Sequence, residues 1–198
     1  MKLVLVVGND KIGRHCIQQL PQSKNVTILL DSCTDAGRVV TLLRKGSLPI
    51  RALISMTWAN IIRKETKLEQ PYSQLKSNTE LLRFIDNDTT ILLFRAGLIV
   101  SQDTIDKAKD IFNVHCASIP EFGGIASIYR AIKAEAFSQN ATLHKVTIRI
   151  DEGEVVDVEP YLMSKSKNYF LNEETAYQAG LTLINRILIK YEKDAKIF

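Results

Sequence analysis

The chain has 198 residues, 45% of them hydrophobic, which is enough for one substantial core and predicts a single domain over residues 1–198. Its 26 Lys and Arg against 22 Asp and Glu give a net charge of +4 without a block of five like charges, so composition does not point to nucleic acid. Cys16, Cys33 and Cys116 are odd in number and lack C-x-x-C spacing, which argues against a disulfide framework and a structural zinc site and suits a reducing cytoplasm.

Leu3 to Val7, L-V-L-V-V, is a short apolar run ending in Gly8-Asn9-Asp10. It reads as a strand buried on both faces and is too short, and without a cleavage pattern, for a signal peptide. Gly13 to Leu20 supplies a helix, with Ile17 and Leu20 inward, before Pro21 and Ser23 break the pattern. Val26 to Leu30 is the next strand, Asp35 to Leu43 the next helix, and Ala52 to Ser55 a third brief strand. Glu65 to Asn78 is polar and weakly periodic, a loop leading into a helix near Thr79 to Phe84. Ile91 to Phe94 is a buried strand, Ser101 caps a helix containing Ile105, Ala108 and Ile111, and Phe112 to His115 is a further strand. Ile128 to Phe137 predicts a helix, Leu143 to Ile150 and Glu154 to Met163 a pair of strands joined at D-E-G-E, and Glu173 to Tyr191 an amphipathic helix. The order predicts an α/β fold, a Rossmann-like, mostly parallel sheet flanked by helices, with an antiparallel hairpin near the C-terminal part. No segment reads as a transmembrane span, repeat or linker.

The chemistry is concentrated in Asn113-Val114-His115 and in Asp151-Glu152-Gly153. Asn113 and His115 alternate along a strand and so share a face. An amide can donate to a carbonyl oxygen, an imidazole can carry a proton near neutral pH, and a carboxylate can orient the imidazole. Such a set suits acyl transfer.

The pattern N-x-H-x-x-x-x-P from Asn113 to Pro120, with Gly124 beyond it, His144 within the next strand and D-x-G following, resembles the folate-dependent formyltransferase family over Leu92 to Met163. That family includes glycinamide ribonucleotide transformylase and methionyl-tRNA formyltransferase. The resemblance implies a cytoplasmic N-formyltransferase moving a formyl group from 10-formyltetrahydrofolate to a primary amine, with no metal. Asn113 would polarise the formyl oxygen, His115 would assist the oxyanion and the proton, and Asp151 would orient His115. Donor contacts would come from Gly97, Leu98, Ile99 and Val100 and from the hairpin loop with Gly153. The family's phosphate loop maps onto Gly8, Asn9 and Gly13 as substrate contacts. Implied partners are a reduced folate and a small-molecule amine, an amino-sugar nucleotide or a ribonucleotide amine, with a homodimer as a possible assembly and with neither nucleic acid nor membrane. With Phe198 as its last residue the chain is expected to lack the tRNA-binding domain of methionyl-tRNA formyltransferase.

Relatives usually read H-P-S-L-L-P where this chain reads His115-Cys116-Ala117-Ser118-Ile119-Pro120, and the purine enzyme's extra histidines are replaced by Ala126 and Ile128. The altered loop leaves a non-catalytic folate-binding protein as an alternative, and water in place of the amine would give a formyl-donor hydrolase. Gly8-Asn9-Asp10-Lys11-Ile12-Gly13, with Asp31 ending the second strand, also invites a nicotinamide-binding Rossmann interpretation, but Asp10 stands where the middle glycine should be. Cys116 beside His115 reads as a small buried residue, since neighbours on a strand face opposite ways.

Overall fold

A computed structural model of the protein describes residues 2–194 apart from Gln22, Lys24, Thr34 and Asp35. The chain runs β1 (Lys2–Gly8), α1 (Lys11–Gln19), β2 (Val26–Asp31), α2 (Ala36–Arg44), α3 (Ile50–Ile62), β3 (Ser73–Leu75), α4 (Asn78–Leu81), β4 (Thr89–Phe94), α5 (Gln102–Lys107), β5 (Asp110–His115), α6 (Ser127–Lys133), β6 (Ser138–Lys145), β7 (Val155–Leu162) and α7 (Tyr169–Asp194). The strands form one sheet in the order β3-β2-β1-β4-β5-β6-β7. β3 to β5 pair in parallel and β6 and β7 are added antiparallel, as the sequence pattern predicts.

The continuous apolar run of β1 is explained by burial on both faces. Leu3, Leu5 and Val7 join Leu92, Phe94, Phe112 and Val114 in a core closed by α1 and α7, while Val4 and Val6 join Ile91, Leu93 and Ile111 on the opposite face. The 26-residue α7, about 39 Å long, spans the first face with Ala176, Leu183, Ile184 and Ile187 turned inward. The chain leaves β1 toward β2 on one side and returns to β4 on the other, so a topological switch point lies between the carboxyl ends of β1 and β4. Asp10 and Arg95 fill that crevice: the Arg95 guanidinium contacts Asp10 Oδ2 at 2.6 Å and bonds the Tyr177 hydroxyl.

Several elements differ from expectation. Ala52 to Ser55 is not a strand but part of α3, which buries Ala52 and Ala59, and four residues of periodicity are too few to separate the two. The polar stretch before Asn78 contains β3, held by pairing with β2 with only Leu75 buried. Ile111 is not helical. α5 stops at Lys107, and Ile111 pairs with Ile91 inside β5. α6 ends at Lys133 and Glu135 follows with a positive φ, so the expected helix over Ile128 to Phe137 is shortened and Ser138 to Thr142 become strand. β6 ends at Lys145 opposite Phe112, which leaves residues 146–150, expected as strand, in the loop to β7. The helix expected from Asp35 begins at Ala36, and Asp35 itself lies outside the described residues.

Candidate active site

Asn113 and His115 stand on the last turn of the pleat in β5, with Val114 pointing into the core on the other face. In the antiparallel pairing Asn113 lies opposite His144 and His115 opposite Thr142. Pairing across the sheet thus adds a second imidazole to the face. The loop between β6 and β7 folds back over this face, and two glycines permit it. A Cβ on Gly153 would stand 1.6 Å from the Lys145 carbonyl oxygen, and a Cβ on Gly123 would crowd the Asp151 Cβ at 3.2 Å. Asp151 has φ 54°, a left-handed conformation that Asp tolerates better than most residues.

The Asp151 carboxylate is the hub. Its Oδ2 accepts the Gly124 amide at 2.7 Å and lies 3.3 Å from His115 Nδ1, while its Oδ1 lies 3.2 Å from His144 Nε2 and accepts Asn113 Nδ2 at 3.3 Å. The side chains of His115 and Asp151 are 12% and 10% exposed, and His144 is buried. Burial works to raise the Asp151 pKa, but the His144 bond, the nearby His115 and the Gly124 amide outweigh it and bring it down to about 2. Asp151 is therefore a carboxylate at neutral pH.

The two imidazoles differ. His144 faces the Lys145 carbonyl through Nδ1 at 3.1 Å and Asn113 Nδ2 through Nε2 at 3.1 Å. Nε2 also lies 3.2 Å from Asp151 Oδ1 and donates to it, and Asn113 Nδ2 donates to the same oxygen at 3.3 Å. The reverse amide orientation would set oxygen against carboxylate oxygen. Both nitrogens of His115 face oxygen: Nδ1 the Asp151 carboxylate, Nε2 the Phe122 carbonyl at 3.0 Å. Only the imidazolium satisfies both. Burial nevertheless dominates and lowers the His115 pKa, against the pull of Asp151 and of the Phe122 carbonyl. The result is an imidazole neutral near pH 7 whose surroundings welcome a proton.

The segment from Cys116 to Ser118 is held by polar contacts. Ser118 N donates to Gln139 Oε1 at 3.0 Å, Thr142 Oγ1 to the Ala117 carbonyl at 3.0 Å, and the Tyr161 hydroxyl to the Cys116 carbonyl at 2.7 Å. Gly97 lies where a Cβ would be 2.8 Å from the Cys33 carbonyl, and Leu98 N donates to Asp31 Oδ2 at 2.8 Å. Leu98 and Val100 pack on the core and Ile99 is half exposed, its carbonyl accepting Asn78 Nδ2 at 2.9 Å.

Gly8, Asn9 and Gly13 lie at the β1 to α1 turn, apart from the Asp151 hub. A Cβ on Gly13 would be 1.8 Å from the Gly8 carbonyl oxygen, and Asn9 bonds Ser32 and Arg14. Asp10 caps α1 through Gly13 N at 2.9 Å, so a carboxylate already occupies the helix start where an anionic ligand would bind. Two small clefts, one around Ile17 and Tyr72 and the other around Cys16 and Arg63, are lined by none of the hub residues.

The structure joins Asn113, His115 and Asp151 and adds three groups that sequence reasoning gave no role: His144, the Gly124 amide and the Phe122 carbonyl. The sequence pattern already contains His144 and Gly124 without a role, and the register of β6 on β5, with His144 opposite Asn113, supplies one for His144.

No family model matches the chain. It is 32% identical over 98 residues to methionyl-tRNA formyltransferase of Chromobacterium violaceum, a match covering 48% of this chain and 31% of that protein. The chain thus spans about a third of the length of such curated relatives. Phosphoribosylglycinamide formyltransferase from Bacillus halodurans has a similar structure, with a TM-score of 0.63, 17% identity and coverage of 98% and 97% of the two chains. The N-formyltransferase from Helicobacter canadensis in complex with folinic acid and dTDP-3-aminofucose gives 0.62, 15%, 98% and 65%. The likeness to folate-dependent formyltransferases is one of sequence over half of the chain and of fold over nearly all of it.

Proposed function

We propose that the chain transfers a formyl group from 10-formyltetrahydrofolate to a primary amine at the face carrying Asn113, His115 and Asp151. The observation that carries this is the bridging of Asn113, His115 and His144 by one ionised carboxylate. It assembles an amide donor, a proton-accepting imidazole and a fixed charge at the end of a strand. The Helicobacter relative, in complex with folinic acid and dTDP-3-aminofucose, makes an amino-sugar nucleotide the leading acceptor class, with a ribonucleotide amine second. An acceptor whose phosphate sat at Gly8, Asn9 and Gly13 would have to displace the Asp10 carboxylate from the first turn of α1.

The reduced folate supplies the activated formyl group. Leu98, Ile99 and Val100 would flank its bicyclic ring, helped by the exposed Ile148 and Ile150 on the loop that carries Asp151 and Gly153, an apolar setting that suits a flat heterocycle. As the amine nitrogen bonds to the formyl carbon, negative charge grows on the formyl oxygen. Asn113 would turn one N–H from the 3.3 Å contact with Asp151 toward that oxygen. His115 would take the proton that the attacking amine loses as its bond to the formyl carbon forms, since its protonated ring satisfies both Asp151 and Phe122. Asp151 would keep that imidazolium in place until it returns the proton to the folate nitrogen as the bond from that nitrogen to the formyl carbon breaks.

Single-turnover formyl transfer to a panel of amines, with hydrolysis of the donor followed in parallel, tests the proposal. Asn113→Ala and His115→Ala should each cost about a hundred- to a thousandfold in turnover while folate binding changes little. Cys116→Ser should retain turnover. Activity that survives His115→Ala and disappears in Cys116→Ser would replace this mechanism with a thiol one. Tight folate binding without transfer to any amine would make the chain a binding protein.

A further inference from the structure

Helix α3 is built inside out. Its buried residues are the small Ala52 and Ala59, while Ile50, Ile54, Trp58, Ile61 and Ile62 are 66%, 62%, 63%, 61% and 44% exposed. Spaced at 4, 4, 3 and 4 residues from Ile50 to Ile61 and Ile62, these five side chains form one stripe along the outer side of the helix. A surface helix ordinarily turns its large apolar residues to the core. A contiguous apolar patch left outside marks an interaction surface.

Charge indicates what the stripe meets. Residues 36–64 contain six Lys and Arg and no Asp or Glu, so the rest of the chain, with 20 against 22, is slightly acidic. Arg44 and Lys45 just before α3, Arg51 within it and Lys64 just after it are exposed, and Arg63 is buried against Glu173 and Glu174. A second copy would bring the same four cations against themselves.

We propose that α3 lies on an anionic lipid surface, with Ile50, Ile54, Trp58 and Ile61 in the headgroup boundary and the basic residues against the phosphates. The family resemblance implies no membrane partner, and the strand expected over Ala52 to Ser55 lies in the middle of the helix that carries the stripe. The inner side of the helix, Ala52 and Met56, packs in a cluster with Ile125 and Ala126, next to the Gly124 that binds Asp151. The surface is thus contiguous with the segment that shapes the site.

Trp58 is the chain's single tryptophan, so its emission reports on the stripe alone. The full chain is titrated with vesicles of phosphatidylcholine containing a third phosphatidylserine, and with vesicles of phosphatidylcholine alone. A blue shift and flotation with the anionic vesicles, at least about tenfold tighter than with neutral ones and weakened by salt, is the expected result. Ile54→Glu, whose side chain is exposed and whose fold is checked by circular dichroism, should lose the binding. A combined Arg44→Glu, Lys45→Glu and Arg51→Glu variant should lose the preference for anionic lipid. An emission unchanged by vesicles overturns the proposal. So does a blue shift that grows with protein concentration without lipid and accompanies a dimer in sedimentation, which would assign the stripe to contact between copies.

Discussion

Two buried polar clusters lie near the carboxyl ends of the strands, and they are built from opposite kinds of groups. The first joins Asn113, His115, His144 and Asp151 by contacts of 3.1 to 3.3 Å. The second sets Arg63 between Glu173 at 3.0 Å and Glu174 at 2.5 Å, with Tyr169 donating to Glu173 and the guanidinium 5.0 Å over the Phe170 ring. Beside it Arg95 binds Asp10 and Tyr177. Burial opposes the Arg95 charge, yet Tyr177 and Asp10 hold its pKa above the ordinary value, and burial pushes Tyr169 and Tyr177 well above theirs. Arg95, Tyr169 and Tyr177 are all shifted away from exchanging a proton near neutral pH. The first contains an imidazole held neutral among groups that would favour its cation. Burial with shifted acidity is therefore common to framework and site alike. The distinguishing feature is a group whose proton can move.

The sharpest way to break this division is to remove Arg63. Arg63→Met strands Glu173 in the interior without its counter-charge, and loss of one partner of a buried pair costs about 3 to 5 kcal/mol. Guanidinium unfolding should show that loss, while formyl transfer per folded molecule stays within about threefold of the parent. A loss below about 1 kcal/mol, or a turnover defect as deep as that of His115→Ala, would erase the distinction between framework and site.

A smaller effect should follow pH. Both shifted groups of the first cluster have depressed pKa values, so in each case the unfolded chain binds protons first and stability falls as pH falls. The His115 contribution is complete above its ordinary value of 6.5 and is lost as pH drops below it. That of Asp151 is complete above 3.8 and is lost toward about 2, a difference of about 2 kcal/mol in all. Denaturation at pH 8, 6, 5 and 4 should therefore show a first decline that His115→Gln removes. Asp151→Asn should widen that decline, because it withdraws the charge that supports the His115 cation. A parent curve flat from pH 8 to 5 would mean that His115 is not held neutral by burial.

The two clusters also differ in how far they could be read from sequence. Asn113, His115 and Asp151 stand in short patterns, and strand alternation sets Asn113 and His115 on one face. His144 acquires its place only when β6 is registered against β5 with His144 opposite Asn113, a long-range register that no local pattern specifies. The second cluster was not legible at all, because Arg63 and Glu173 are 110 residues apart and each resembles an ordinary surface charge. The fold follows the same division. The buried strands β1 and β4 are legible from their apolar runs, whereas β3 has only Leu75 to mark it, and α3 presents its alanines inward against the usual pattern.

The smallest expected effect concerns Cys116, which immediately follows one site residue yet belongs with the framework. Its side chain is buried, and a Cβ on Gly180 would stand 2.7 Å from the sulfur, so the thiol occupies the space that α7 leaves by having glycine there. Burial pushes the Cys116 pKa well above that of a free thiol, and a thiol that does not ionise is a poor nucleophile. Maleimide should therefore modify the native protein at Cys116 far more slowly than a free thiol, and modification should become rapid on unfolding. Mass spectrometry of the labelled peptide distinguishes it from Cys16 and Cys33. Rapid labelling of native Cys116 that also stopped formyl transfer would place a reactive group in the loop beside His115. The boundary between the two clusters would then run through the residues from Cys116 to Ile119 rather than around them.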